Sequence, residues 1–452
     1  MAIHAKAALL EGGWANDVRL ELAGGRLSRL EAGVAPQPGD ERHAVIVPGM
    51  PNLHSHAFQR AMAGLAEQRG PRADSFWTWR ELMYRFALSM TPGDVEAVAA
   101  QVYVEMLEAG FTRVGEFHYL HHDTDGRPFT DIGEMAVRIG AAAAETGIGL
   151  TLLPVFYAHS GFGGATPSVS QRRFINNVDG FIRLLERSRE IVRDLPGSVV
   201  GVAPHSLRAV TQEELAAVVA MAGEGPIHIH VAEQVREVDE CIAWSGARPV
   251  EWLLGQQQIG QNWCLIHATH MTDAETHVLA ASGAVAGLCP ITEANLGDGI
   301  FPAADFIAAG GAVGVGSDSN VLIGLGDELR QLEYSQRLAG RARNVLGGPD
   351  RSTGRQLFDA ALAGGSQALA AGGGLAEGSP ADFVALDLAY APWLTGDDVL
   401  DGWIFSRTVA VDCVWVAGRK RVEAGRHADR EAIATRFAAT MRTLTAKNRH
   451  AG

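Results

Sequence analysis

The chain has 452 residues, of which 47% are apolar and 20% charged, and its formal net charge is −14. This composition is typical of a globular protein and excludes a disordered or fibrous one, and the length predicts two domains, or one large barrel with an appended unit. The negative charge argues against nucleic acid or an anionic membrane surface as a partner. Four dispersed cysteines without a CxxC pair, no N-terminal signal-peptide pattern and no apolar run of about 18 residues predict a cytoplasmic protein that does not cross a membrane.

The two ends of the chain are predicted to form one small β-domain. Residues 5–48 contain short apolar stretches separated by the glycine pairs Gly12-Gly13 and Gly24-Gly25, a pattern that predicts strands joined by turns. Strand patterns return near residues 378–387 and 410–416. We therefore predict a β-sandwich domain built from residues 1–48 and 377–425, followed by a C-terminal helix over residues 426–452.

The middle of the chain alternates between helix and strand signals. Thr91-Pro92 predicts a helix start, with Gly110 as its stop, and similar signals fall between most of the apolar strands. They include a long helix predicted over about 171–193, and a helical tail over about 327–371 is predicted after the last strand. Eight such strands are predicted, one before His54 and the others near residues 112–117, 148–155, 198–203, 226–231, 263–267, 284–288 and 312–317. Strands that are apolar on both faces suit a buried parallel sheet. The prediction is an α/β protein with a (β/α)8 TIM-like barrel over residues 49–376; a doubly wound open sheet is the alternative.

The first of these strands ends in His54-x-His56. Side chains two residues apart on a strand point the same way, so both imidazoles can reach one metal ion. This pair alone is weak evidence, because histidines in turns often have no ligand. Ionisable groups recur, however, at the predicted carboxyl ends of five further strands, where the active groups of such barrels collect: Glu116 and Tyr119; His205 and Arg208; His228, His230 and Glu233; His267 and His270; and Asp318. Together they predict a metal site.

This pattern resembles the amidohydrolase superfamily, in particular its deaminase branch, over nearly the whole chain. Within that branch, five stretches resemble the formimidoylglutamate deiminase family: Leu53-His-Ser-His-Ala-Phe-Gln-Arg60, Asp74-Ser-Phe-Trp-Thr-Trp-Arg80, Glu116-Phe-His-Tyr-Leu-His-His122, His230-Val-Ala-Glu-Gln234 and Pro290-Ile-Thr-Glu-Ala-Asn-Leu-Gly-Asp-Gly299. The resemblance implies hydrolysis of N-formimidoyl-L-glutamate to N-formyl-L-glutamate and ammonia, a step of histidine degradation.

Two other readings stay open. A purine-type or other aromatic-base deaminase, such as a guanine-like deaminase, would use the same metal chemistry and stack its substrate on aromatic residues such as Trp77, Trp79 and Phe117. A non-catalytic scaffold normally requires lost ligands, which this chain does not show.

The resemblance implies that one divalent ion, expected to be zinc, is held by His54, His56, His230 and Asp318. Iron or manganese can use the same ligands. The roles of His228 and His270 stay open. Dinuclear relatives bridge two metals with a carboxylated lysine, but the only lysines here are Lys6, Lys420 and Lys447. A mononuclear site is therefore predicted.

The implied catalytic residues are Glu233, His267 and Asp318. We predict that Asp318 accepts the proton of the attacking water, that His267 holds the metal-bound hydroxide against the formimidoyl carbon, and that Glu233 protonates the departing nitrogen. The dicarboxylate substrate requires cationic and hydroxyl donors, and Arg suits a carboxylate better than Lys. The predicted substrate-binding residues are Gln59, Arg80, Tyr119, His205 and Arg208. Analogy with barrels of this family suggests a homodimer.

Overall fold

The structure is a computed structural model that describes residues 1–69 and 74–449. The strands are β1 Ala2–Leu10, β2 Gly13–Ala23, β3 Arg26–Glu31, β4 Glu41–Pro48, β5 Met50–Ser55, β6 Phe111–His118, β7 Gly149–Phe156, β8 Val199–Val200, β9 Ala203–Pro204, β10 Ile227–Val231, β11 Trp263–His267, β12 Val285–Leu288, β13 Ala312–Val315, β14 Phe383–Asp387, β15 Ala410–Val416, β16 Arg419–Glu423 and β17 Arg426–His427. The α-helices are α1 Phe76–Ser89, α2 Pro92–Glu108, α3 Glu134–Thr146, α4 Val178–Ile191, α5 Gln212–Ala222, α6 Val235–Ser245, α7 Pro249–Gln256, α8 Asp273–Ser282, α9 Pro290–Leu296, α10 Ala303–Ala308, α11 Leu325–Gly340, α12 Thr353–Ala368, α13 Asp397–Asp401 and α14 Arg430–Arg449.

Both ends of the chain share one eight-stranded sheet, in the order β17-β16-β15-β14-β4-β1-β2-β3. The two ends meet where β14 runs antiparallel to β4, with Val384 opposite Val47. Within this sheet Phe383 stacks on Trp415, and both are fully buried. The C-terminal helix begins at Arg430, later than predicted, because residues 426–427 pair with β16 as β17. Residues 450–452 of the predicted helix lie outside the described residues.

The middle of the chain forms an α/β unit with two parallel sheets. One has the order β5-β6-β7-β8, with β9 also beside β7, and the other has the order β10-β11-β12-β13. Parallel bridges join the sheets on both sides, from Val202 to Ile227 and from Ser55 to Asp318. Every residue of β5, β6 and β7 is buried, as expected for strands covered on both faces. The parallel direction brings all the strands' carboxyl ends to the same side.

The helices follow their capping residues more closely than their apolar patterns. Thr91 accepts a hydrogen bond from the Asp94 N–H and starts α2 at Pro92, as predicted. The helix expected over about 171–193 is shorter, because Asn177 caps α4 through the Gly180 N–H. The expected helical stretch over about 327–371 is two helices, α11 and α12, separated after Arg341, whose φ of 52° is left-handed. Helices α1, α6, α9 and α13 were not predicted. Among the described helices, none is both long and apolar enough to cross a membrane.

Candidate metal centre and active site

Three histidines and one aspartate converge where β5, β10 and β13 end. The Nε2 atoms of His54 and His56 are 3.2 Å apart, and those of His54 and His230 are 3.0 Å apart. Asp318 Oδ1 lies 3.3 Å from His56 Nε2 and 3.6 Å from His54 Nε2. All four side chains are buried. The structure thus brings together the four predicted metal ligands.

The hydrogen bonds of His56 and His230 leave the Nε2 atoms of these two rings as acceptors. His56 Nδ1 donates to the Phe117 carbonyl at 2.9 Å, and His230 Nδ1 donates to the His205 carbonyl at the same distance. Burial lowers the pKa of His56 to about 3 and holds the pKa of His54 and His230 well below the usual value, so the rings are neutral. Adjacent lone pairs repel each other unless a cation lies between them. This donor set of neutral imidazoles and a carboxylate fits a divalent ion such as zinc.

His267 lies among three carboxylates next to this cluster. Its Nε2 is 3.8 Å from Glu233 Oε1 and 3.7 Å from Asp318 Oδ2, and its Nδ1 is 3.2 Å from Glu293 Oε1. Burial alone would lower the pKa of His267, but the charges of Glu233, Glu293 and Asp318 raise it to about 10. Burial also raises the pKa of Asp318 to about 7, against the effect of His267. The three predicted catalytic residues are therefore close enough to exchange protons through a bound water or substrate.

A buried amide network, which the sequence did not predict, joins the ends of β5 and β13. Asn52 Nδ2 donates to Ser317 Oγ at 2.7 Å, and Ser317 Oγ donates to Asn320 Oδ1 at 2.6 Å. Asn320 Nδ2 donates to the carbonyls of His56 and Asp318. Asp318 has a left-handed φ of 45°, a conformation that costs energy and persists only where contacts enforce it. The network therefore joins the segments that carry His54, His56 and Asp318.

A cavity opens directly beside the histidines. It is lined by all five of the predicted substrate-binding residues, together with the other groups that face it: His56, Gln59, Phe76, Trp79, Arg80, Met83, Tyr84, Tyr119, Tyr157, Phe174, His205, Arg208, His230, Glu233, His267, Leu296 and Asp318. Gln59 Nε2 donates to the Tyr119 hydroxyl at 2.8 Å. The buried Nε of Arg208 and Oε1 of Gln59 have no hydrogen-bond partner among the described residues. Such unmatched polar atoms in a cavity point to a polar ligand.

Two histidines whose roles the sequence left open lie outside this cluster. His228 Nε2 donates to the Ala368 carbonyl at 2.8 Å, and His270 Nε2 donates to the Asp298 carbonyl at 2.8 Å. The His228 contact therefore joins β10 to the end of α12, and the His270 contact joins two loops.

The aromatic residues considered for stacking are mostly covered. The guanidinium groups of Arg80 and Arg236 lie 4.6 and 4.3 Å from the ring centre of Trp77. Phe117 is buried and packs against the rings of His54 and His230. Neither ring lines the cavity, although Trp79 does. What favours an anionic substrate is the pair of arginines in the lining, Arg80 and Arg208.

Glu237 is a site residue that the sequence did not reveal. Its fully buried carboxylate accepts the N–H groups of Ala232 and Glu233 at 3.1 and 3.3 Å, and it lies 3.8 Å from the Arg208 guanidinium. It links the Glu233 loop to Arg208. Only its position one helical turn after Glu233 could have suggested this role.

Parallel α/β strands with histidines and an aspartate at their carboxyl ends define the class of metal-dependent hydrolases. A model described as the Amidohydrolase family matches residues 45–421, and the chain belongs to this family. A second model, described as the N-terminal domain of formimidoylglutamate deiminase HutF, matches residues 1–44.

Individual proteins agree with this assignment. The formimidoylglutamate deiminase of Pseudomonas aeruginosa is 52% identical over 96% of this chain and 98% of its own length. An amidohydrolase from Brucella melitensis has a crystal structure with a TM-score of 0.97 and 61% identity, covering 98% of this chain and 99% of that one. An adenosine deaminase from Xanthomonas campestris with bound zinc is 21% identical with a TM-score of 0.79, covering 98% of both chains, and so shares the fold.

Proposed function

We propose that the protein is a formimidoylglutamate deiminase of histidine degradation, a hydrolase that acts on the C–N bond of a linear amidine. Its substrate is N-formimidoyl-L-glutamate, and its products are N-formyl-L-glutamate and ammonia. The observation that carries this proposal is the shared cavity, in which Arg80 and Arg208 face the same space as the histidine cluster and Glu233. The 52% identity to a formimidoylglutamate deiminase over almost the whole chain supports it.

We infer that one divalent ion, zinc, is held by His54, His56, His230 and Asp318. When bound, such an ion supplies a nucleophile at neutral pH by lowering the pKa of water. The converging Nε2 atoms support this inference. A second ion bridged by a carboxylated lysine is not proposed, because the chain has no lysine between residues 7 and 419.

The proton transfers are assigned to three side chains. Asp318 accepts a proton from the attacking water, and His267 donates a hydrogen bond that orients this water toward the formimidoyl carbon. Water adds to the C=N bond and gives a tetrahedral carbon. Glu233 transfers a proton to the terminal nitrogen, and the proton held by Asp318 passes to the same nitrogen. The C–N bond to that nitrogen then breaks to release ammonia, and the hydroxyl proton returns to Glu233 as the formyl C=O forms. The distances of 3.7 and 3.8 Å from His267 Nε2 to Asp318 and Glu233 support this arrangement.

The two substrate carboxylates are assigned to the cationic part of the cavity. Arg208 and Arg80 provide planar guanidinium groups that bind a carboxylate through two parallel hydrogen bonds. Gln59, Tyr119 and His205 provide the neutral polar groups around them. The unpartnered Nε of Arg208 supports this assignment, because a buried guanidinium N–H without an acceptor is costly.

The finer architecture is also part of the proposal. We infer that the two parallel sheets close into a (β/α)8 barrel over residues 49–376, because the bridges at Val202 and Ser55 join them on both sides. Residues 1–48 and 377–427 then form a β-sandwich domain, which is followed by the C-terminal helix α14. A homodimer is proposed by analogy with the family. A cytoplasmic location is proposed from the four free, dispersed cysteines.

Ammonia release from the zinc-loaded protein tests the function. N-formimidoyl-L-glutamate is compared with N-formimidoylglycine, which lacks the second carboxylate, and with guanine and adenosine. We expect release from the glutamate derivative, at least tenfold less efficient release from the glycine derivative, and none from the purines. Preferential release from guanine or adenosine would contradict the proposal, and so would equal turnover of the two formimidoyl compounds.

A further inference from the structure

A second cleft lies at the opposite ends of the strands from the histidine cluster. It has a volume of about 820 Å³, within the size range of small-molecule sites. One wall is formed where β6, β7 and β8 begin, and the other by the β2–β3 and β15–β16 turns of the eight-stranded sheet. Four arginines line it: Arg26, Arg113, Arg419 and Arg421.

These guanidinium groups lack carboxylate partners. Arg113 donates to the carbonyls of Leu150 and Gly197 and to the Thr151 hydroxyl, and Arg26 donates to the Gly378 carbonyl. Arg421 has a buried Nε without a hydrogen-bond partner. Across residues 1–69 and 74–449, none of the four arginines forms an ion pair, although about half of the described arginines of this acidic chain do.

The local charge of the cleft is positive. Four arginines and two aspartates, Asp194 and Asp382, line it, which leaves an excess of two positive charges in a protein of net charge −14. Asp382 is already used as an acceptor, since its Oδ1 binds the Ala417 N–H. Burial lowers the pKa of Arg421, and the neighbouring charge of Arg419 lowers it further. Asp382 partly offsets the charge of Arg113, and Asp429 partly offsets that of Arg421, but neither carboxylate is within ion-pair distance of these arginines.

The backbone allows the close approach of Arg421. Gly147 ends α3 with a left-handed φ of 73°, and a Cβ at this position would clash with the Arg421 guanidinium. The carboxyl end of α3 carries a partial negative charge, which offsets part of one arginine's charge. It does not act as a counterion for Arg113, whose Nη2 binds the Gly197 carbonyl on a different loop.

We propose that this cleft binds a small, non-aromatic molecule with two or more anionic groups, either an organic bisphosphate or a polycarboxylate. Arginine forks bind phosphate and carboxylate oxygens in pairs, which suits such a ligand. No aromatic side chain lines the cleft in the described part of the chain, so a nucleotide base would find no stacking partner there. The ligand does not compete with the substrate, because the two cavities lie at opposite ends of the strands.

Isothermal titration of the zinc-loaded protein at low salt tests the proposal, with fructose 1,6-bisphosphate and tricarballylate as separate probes. We expect one molecule of at least one probe to bind per chain, with an affinity that falls as sodium chloride is added. Binding of the bisphosphate alone assigns the site to organic phosphates, and binding of tricarballylate alone assigns it to polycarboxylates. Failure of both probes to bind would overturn the proposal.

Matched variants locate the binding. The Arg419→Gln, Arg421→Gln double variant should weaken binding at least tenfold. The control Arg29→Gln, Arg426→Gln removes two charges from the same sheet outside the cleft, where each arginine is already paired with a glutamate, and should change the affinity less than twofold. The exposed Arg419→Gln single variant repeats the test if the double variant does not fold. Equal affinity in the cleft variants and the control would overturn the proposal.

Discussion

At the scale of single residues, Glu233 tests the proposed chemistry. Its carboxylate lies 3.8 Å from His267 Nε2, and Glu233 is not one of the four proposed metal ligands. We expect Glu233→Gln to lower kcat by about 10²- to 10⁴-fold, the usual contribution of a positioned acid, while zinc content stays at one per chain. Ammonia release and metal analysis of the same preparation measure both.

The control for this change is Glu213→Gln, an exposed glutamate on α5. It should leave kcat and zinc content unchanged. If Glu233→Gln keeps its turnover, or loses zinc together with its activity, the assignment of Glu233 as the proton donor is wrong.

Arg208 tests the substrate clamp. Its guanidinium is buried, and the only carboxylate within ion-pair distance in the described chain is Glu237, at 3.8 Å. A hydrogen bond to a charged group contributes about 1.5–3 kcal/mol, so we expect Arg208→Ala to raise KM about 10- to 100-fold. Steady-state kinetics with N-formimidoyl-L-glutamate measure this change.

For the Arg208 variant, metal affinity should stay close to that of the unmodified protein. Arg189→Ala, an exposed arginine on α4, is the control and should leave KM unchanged. An unaltered KM in Arg208→Ala would place the substrate carboxylates elsewhere in the cavity.

At the scale of secondary-structure elements, Asn320 joins the ends of β5 and β13. Its side chain bonds the carbonyls of His56 and Asp318 and the hydroxyls of Ser55 and Ser317, and its own φ is 57°. Leaving such groups unpaired costs about 1–3 kcal/mol. We expect Asn320→Gly to lower the free energy of unfolding by at least about 2 kcal/mol and to weaken zinc binding. Urea unfolding and chelator competition measure the two effects.

Asn320→Ala separates the backbone conformation from the amide contacts. Alanine at a left-handed position costs roughly 1 kcal/mol more than glycine, so the alanine variant should be the less stable of the two. The exposed Asn344, with a φ of 53°, provides a control pair. The alanine variant of Asn344 should be less stable than its glycine variant by a similar amount, and neither should change the affinity for zinc. If zinc binding is unchanged in both Asn320 variants, the network does not hold the ligands.

At the scale of the whole molecule, buried neutral histidines make stability depend on pH. Burial lowers the pKa of His118 to about 3 and that of His121 well below its usual value. In the unfolded chain each of these rings has a pKa near 6.5. At about pH 6.5 and below, the unfolded chain therefore binds a proton on each ring that the folded protein does not bind. Stability is therefore complete above that pH and falls as the pH decreases.

We expect His118→Leu to flatten this dependence. Between pH 7.5 and 5.5, the protonation of one such histidine lowers the free energy of unfolding by about 1.3 kcal/mol. The loss of stability between these pH values should therefore be about 1.3 kcal/mol smaller in the variant than in the unmodified protein. Urea unfolding at both pH values measures the difference, and protonation of the other histidines cancels between the two proteins. His277→Gln, on the exposed surface of α8, should behave like the unmodified protein. If the free energy of unfolding of His118→Leu falls between pH 7.5 and 5.5 by as much as that of the unmodified protein, this account is wrong.

The sequence by itself determined the local part of the fold and of the site. The two-residue spacing of His54 and His56 places both rings on one face of a strand, and the three-residue step from His230 to Glu233 brings the proposed acid to the same loop. Capping pairs such as Thr91-Pro92 marked helix ends correctly because a cap depends on neighbouring residues alone. The resemblance to the amidohydrolases rested on these short motifs, and the family match confirmed it.

Only the tertiary structure decided the contacts between distant residues. Asn52 and Ser317 are 265 positions apart, and the arginines of the second cleft come from both ends of the chain and from β6. Helix α6 starts after Gln234 without a side-chain capping hydrogen bond, so no local signal marks its beginning, and the same helix places Glu237 between Glu233 and Arg208. The physical reason is the same in each case. Parallel strands far apart in sequence are set side by side by their register and by a buried core, and no local pattern encodes which polar groups then meet.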